Sequence, residues 1–199
     1  MKKLIFNLSS CLLFLIAFTS CELFGLELQK DYKYVSTPPN NQFNMTAYEF
    51  IEKRQNIDMR LYLEAINFCG MREEFEKQDR TYVIFADQAF ASYLEINKIY
   101  EIKNADKLKL SNLLRQYIGL KSYGTVELPS YALEVKSLYE KAPLYIGLLS
   151  TSETQVNPYQ VVLNSYPGSK LVSWVTSTNI KVNNGYIYIL TDKMPLVVP

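Results

Sequence analysis

The chain has 199 residues, with 21 basic and 20 acidic side chains, a formal net charge of +1 and no histidine. That balance lacks the concentrated positive face that nucleic acid demands, so no nucleic-acid partner is expected. The missing imidazole removes the commonest general base, the usual partner of a nucleophilic Ser or Cys, and the ordinary histidine-based zinc sites. Enzyme readings therefore start from a deficit, and no cofactor or metal is expected.

The first element is "KKLIF" followed by the apolar run "CLLFLIAFTSCEL" from Cys11 to Leu23. A spanning helix needs about 20 consecutive apolar residues, and this run is shorter and interrupted. A charged start, a brief apolar centre and small residues before a cut site predict a secretory signal over residues 1–20. Phe18-Thr19-Ser20-Cys21 resembles the lipobox of bacterial lipoproteins, with Phe18 where Leu is usual. That resemblance implies diacylglycerol on the Cys21 thiol and a new amino terminus there. Two or more acyl chains hold a protein at a bilayer where one gives only marginal residence. The expected address is the cell outer membrane, lipid-anchored, on its periplasmic or surface-exposed face; Glu22 alone follows the cysteine as an acidic surface signal. Ordinary secretion with a plain thiol at Cys21 is the rival.

Cleavage removes Lys2 and Lys3 and leaves 19 basic against 20 acidic side chains, a formal net of −1. Of Cys11, Cys21 and Cys69, only the last then remains a thiol, so no internal disulfide is available. In "LEAINFCG" Cys69 falls on the apolar side of a helical pattern and is expected to be a small buried hydrophobe.

Residues 21–45, with "STPPNNQFN", have the composition of a flexible tether. One domain is expected from residue 46 to 199. Thr46 and Glu49 have the capping-box spacing for a first helix. A second starts at Asp58, with Met59, Tyr62, Leu63, Ile66 and Cys69 at helical steps and Gly70 to end it. Glu73-Glu74 reads as solvated surface, since adjacent acids point apart. "RTYVIF" predicts a buried strand, after which Asp87 caps a short helix through Phe90 and Leu94. A helix is predicted over 104–118, striped by Leu110, Leu113, Leu114 and Tyr117. Then "YALEV", "APLYIGLL", "YQVVLNSY", "KLVSWVTS" and "NIKVNNGYIYILTD" are strand-rich, with Asn184-Gly185 as a hairpin turn. Helices first and strands later predict an α+β fold.

Three stretches resemble the fasciclin-like domain. "LYLEAINFCGMREEF" is similar to its first conserved helix, "TYVIFADQAFASYL" to its strand-turn-helix signature, and "NNGYIYILTDKMP" to its closing hairpin. Their order and separation cover roughly residues 46–195. The resemblance implies a fasciclin-like fold, helices of the first half packed on a β-sheet wedge formed mostly by the second, carried on a bacterial lipoprotein of the Bacteroidota type. It further implies an extracytoplasmic adhesion or binding module without catalysis. Two departures stand out. The family's Pro and small polar residue between Ala86 and Asp87 are missing, and its Tyr-His pair falls at Tyr117-Ile118, without the His. Tyr117 is therefore read as core.

The partner is an unknown protein or glycan, besides the membrane itself through the anchor. Tyr159, Tyr166 and Trp174, set among Asn, Ser, Pro and Gly, are the candidate binding residues. The simpler expectation is that these aromatics cover a strand-rich core. Two other functions stay open: a structural or accessory lipoprotein of an envelope complex, and a polysaccharide hydrolase using two carboxylates, of which Asp87 would be one.

Overall fold

The structure is a computed structural model and describes residues 41–150, 159–169 and 172–192. The expected signal, the lipid site Cys21 and the tether up to residue 40 lie outside the described residues.

The domain starts earlier than the capping box suggests. Residues 41–45, expected to belong to the tether, run alongside a strand near the carboxyl end. Phe43 N–H donates to Lys181 O at 2.8 Å, Lys181 N–H to Asn41 O at 2.7 Å, and Asn183 N–H to Met45 O at 2.9 Å. The Phe43 ring meets Phe50 edge-on, with centroids 5.3 Å apart. Two prolines just upstream drew the expected boundary too far into the chain.

Helix α1 (Ala47–Lys53) opens with the predicted capping box. Thr46 Oγ1 accepts the Glu49 N–H at 3.2 Å, and a Glu49 carboxylate oxygen accepts the Thr46 N–H at 2.7 Å. Helix α2 (Arg60–Cys69) begins two residues later than expected, because the Asp58 carboxylate is engaged by Arg54 Nε at 2.9 Å. It ends as predicted at Gly70, whose φ of +69° suits a residue without Cβ. A 3₁₀ turn over Arg72–Phe75 leads into strand β1 (Arg80–Phe85), buried from Thr81 onward.

Helix α3 (Asp87–Ile96) follows, and here the expected cap is corrected. Asp87 is the first residue inside the helix, and its carboxylate accepts the N–H of Leu61, in the first turn of α2, at 2.8 Å. Its own N–H donates to Asp58 O at 2.7 Å. The side chain thus caps a neighbouring helix rather than its own. Helix α4 (Lys107–Gln116) is shorter than the predicted 104–118. Its true cap is Asp106, which accepts from Lys109 N–H at 3.1 Å, residues 102–104 wind as 3₁₀, and Ile118 already belongs to strand β2 (Ile118–Gly119).

The second half supplies β3 (Leu133–Val135), β4 (Leu144–Ser150), β5 (Tyr159–Leu163), β6 (Ser173–Trp174), β7 (Ser177–Val182) and β8 (Gly185–Leu190). They form two four-stranded sheets, ordered β2-β1-β8-β7 and β3-β4-β5-β6. In the first, β8 runs parallel to β1 over six pairs, from Arg80–Gly185 to Phe85–Leu190. The α+β expectation holds: four helices precede all strands but β1.

The closing hairpin turns one residue earlier than expected. Val182 pairs with Gly185, so the loop is Asn183-Asn184. The reason lies outside the hairpin. A Cβ at position 185 would stand 1.9 Å from Arg80 O, so the glycine is needed where β8 passes β1, not in the turn.

The core is rich in aromatics. Tyr62 meets Phe75, Phe85 and Phe90 with centroids 6.1, 5.9 and 5.6 Å away. Tyr117 packs edge-on against Phe85 at 4.7 Å and is 1% exposed, in accord with its reading as core.

Candidate binding face

The site grows out of the alternation of the second sheet. Residues paired across antiparallel strands point the same way, and successive residues point oppositely. The pairs Ile146–Leu163 and Leu148–Val161 therefore turn Leu144, Ile146, Leu148, Val161 and Leu163 to one side. Leu144, Ile146, Val161 and Leu163 are buried in the main core, with Leu148 packed against it. The other side carries Glu134, Tyr145, Leu149, Gln160, Val162 and Trp174, by the pairs Glu134–Tyr145, Leu149–Gln160 and Val162–Trp174.

This outer side is aromatic and polar. Tyr166 leans on Tyr145 with ring centroids 4.6 Å apart and planes at 44°. Tyr145 donates its hydroxyl to a Glu134 carboxylate oxygen at 3.0 Å. That hydrogen bond is the main cause raising the Tyr145 pKa, with the nearby negative charge adding to it. Val162 is 1% exposed yet stands outside the main core, flanked by Trp174 and Gly147. Gly147 has to be bare, since a Cβ there would meet Tyr131 O at 2.2 Å.

Tyr159, Tyr166 and Trp174 are not fully covered. They are 54, 39 and 42% exposed. Nor do they form one site. Tyr159 pairs with Ser150 and shares the parity of Val161 and Leu163, so it points away from Trp174. Tyr166 and Trp174 share the outer face, together with Tyr145. Sequence reasoning missed Tyr145, although its place between Leu144 and Ile146 in an alternating strand already set it opposite the core.

Concavities lie beside this face and elsewhere among the described residues. A groove of about 390 Å³ runs beside Trp174, lined by Gln88 and Ser92 of α3, Val172, Ser173 and Asp192. A larger one of about 570 Å³ lies between α1 and β7, with Phe43, Phe50 and Ile57 forming apolar wall and Lys53 and Arg54 its cationic rim.

The remaining sequence candidates have structural partners. Asp87 is held by α2, Glu74 pairs with Lys77 at 2.7 Å, and Glu73 is exposed. Cys69 is half-buried rather than buried, because the carboxyl end of α2 sits at the domain edge; burial pushes its thiol pKa up, with the Ser111 side chain and the Lys107 and Arg115 charges pulling against it. No cluster of three metal-ligating side chains occurs among the described residues, and no described helix is long and apolar enough to cross a membrane.

No family model matches the chain, and no curated protein does. Among solved structures, it is similar to a FAS1 domain pair from the insect cell adhesion molecule Fasciclin I, at 12% identity and a TM-score of 0.48. The likeness covers 75% of this chain and 45% of that one, so less than half of the neighbour is spanned.

Proposed function

We propose that this protein is a lipid-anchored binding or adhesion module of the cell envelope, fasciclin-like in fold and without catalytic activity. It presents the outer face of the β3–β6 sheet to a protein or glycan partner. Cys21 carries the lipid and holds the domain at the outer membrane through the residues that follow it. The carrying observation is the placement of Tyr145, Tyr166 and Trp174 on one face, while the opposite face of the same strands builds the core. Exposed aromatics with polar neighbours are the residue types enriched where proteins meet partners. The three motifs resembling the fasciclin-like domain support the same class of function.

The test is alanine replacement at Tyr166 and Trp174 in the full chain. Capture of envelope partners by mild crosslinking should fall while the melting temperature stays within a few degrees of the parent. Unfolding of both variants, or undiminished capture, overturns the reading. Intact mass of the native product should show a lipid on Cys21 as the first residue, and protease shaving of whole cells assigns the membrane face. A stoichiometric protein partner lost from both variants would make the module an accessory lipoprotein of an envelope complex that uses this same face. The hydrolase reading has Asp87 as its named acid, and that carboxylate is already bonded to the Leu61 N–H.

A further inference from the structure

We propose that the groove beside Trp174 is a subsite for a neutral pyranose ring. The inference rests on the binding-module reading and narrows it to one ligand class and to the β6 edge of the second sheet. The chemistry of the lining carries it. Trp174 is 42% exposed and supplies an aromatic face for the C–H side of a sugar. Around it stand an amide, two hydroxyls and a carboxylate: Gln88, Ser92, Ser173 and Asp192.

Among the described residues, these polar groups keep free hydrogen-bonding capacity. Ser92 donates to Gln88 O at 3.2 Å and keeps its lone pairs. The side chains of Gln88, Ser173 and Asp192 make no hydrogen bond or ion pair to any described residue. A carboxylate is an acceptor only and takes O–H donors, while an amide and a serine both give and accept. Vicinal sugar hydroxyls match that set. The charged group of the described lining is the Asp192 carboxylate, which repels an anionic ligand. At about 390 Å³ the groove falls within the range of small-molecule sites, about 300–1,000 Å³.

The walls are also fixed relative to one another. Thr176 N–H donates to Ile189 O at 2.9 Å, and the Thr176 and Thr191 hydroxyls bond at 2.7 Å. These contacts tie the segment after Trp174 to the one before Asp192, so two walls from different sheets are set before any ligand arrives. Such preorganisation reduces the ordering cost of binding.

The experiment uses the chain's single tryptophan, Trp174, as its own reporter. Emission of the full protein is titrated with methyl glycosides of glucose, galactose, mannose and N-acetylglucosamine, with sorbitol and glucuronate as controls. At least one glycoside should give a saturable change in the millimolar range that sorbitol does not. Asp192→Asn and Gln88→Ala should each weaken it about fivefold, the loss expected for one hydrogen bond, with unchanged melting temperatures. No saturation by any glycoside, a response equal to that of sorbitol, tighter binding of glucuronate, or no effect of either variant overturns the proposal. The two readings fail separately. Partner capture that depends on Tyr166, with emission silent to every glycoside, leaves the module reading and ends the sugar assignment. Saturable glycoside binding without partner capture does the opposite.

Discussion

Asn184 and Ala47 lie 137 residues apart, and the carboxamide oxygen of the first accepts the backbone N–H of the second at 2.9 Å. The Nδ2 of the same side chain lies 2.8 Å from Phe75 O, 3.1 Å from Lys77 O and 2.8 Å from the Tyr82 hydroxyl. A turn residue that is 1% exposed thus joins the start of α1, the 3₁₀ turn and β1. Asn184→Ala strands buried donors and acceptors at about 1–3 kcal/mol apiece. The expected loss is about 3 kcal/mol, read from the urea midpoint. Asn184→Asp, which sets a carboxylate against two carbonyl oxygens, should be worse at neutral pH. A loss below that of an ordinary surface substitution in both variants would show the junction to be idle.

The carboxylate of Asp87 acts as the cap of α2. Asp87→Ala should destabilise the protein by about 1 kcal/mol, the usual effect of losing a capping acceptor. Asp87→Asn keeps the oxygen and should lose less than half of that. Amide exchange at Leu61 in the alanine variant should quicken along with the first turn of α2. An exchange effect confined to α3 would contradict the cross-helix cap.

Both Gly70 and Gly185 have positive φ, +69° and +156°, but only Gly185 also faces a close approach. Nothing lies within 4 Å of a Cβ built on Gly70, whereas one on Gly185 meets Arg80 O at 1.9 Å. Gly70→Ala should cost about 1–2 kcal/mol through its left-handed backbone alone. Gly185→Ala must also push β8 away from β1, and should cost about 3 kcal/mol or more, at the upper end of overpacking effects. The order of the two urea midpoints is the test; equal values refute the proximity argument.

Alkaline pH should unfold the domain steeply. Burial pushes the hydroxyls of Tyr62, Tyr82, Tyr117 and Tyr188 well above the ordinary value of 10.0. Below pH 10 both folded and unfolded chains keep these protons, and stability is unaffected. Above it the unfolded chain releases them while the folded one does not, so the unfolded state binds fewer protons and stability falls as pH rises. For each such tyrosine the slope is about 1.4 kcal/mol per pH unit. Phenolate absorbance should rise in two stages, exposed tyrosines first and the buried four only with loss of circular dichroism. A single reversible stage in a chain that stays folded would count against this.

What the sequence made legible was local. The Thr46–Glu49 box and the Gly70 stop depend on residues three or four apart, and both stand where they were expected. Asp87 was identified as a capping residue from its position before an apolar helix, but its partner is 26 residues upstream and follows from packing. The Asn-Gly pair was read as a turn for the φ that glycine tolerates, whereas its residues meet demands from Ala47 and Arg80, at the far end of the chain. For the binding face, residue types pointed to Tyr166 and Trp174. Which aromatics share a side depends on strand register, and that separated Tyr159 from them and added Tyr145.

Strand β8 occupies an interior place in its sheet, with β1 on one side and β7 on the other. It is also the last of the described strands in chain order. Until residue 190 emerges, β1 lacks its neighbour and the nascent polypeptide has no complete hydrophobic interior to close around. Assembly of the first sheet therefore awaits synthesis of β8, the strand that joins β1 to β7. A frameshift or nonsense codon anywhere upstream of β8 should yield material for proteolysis rather than a shortened working product.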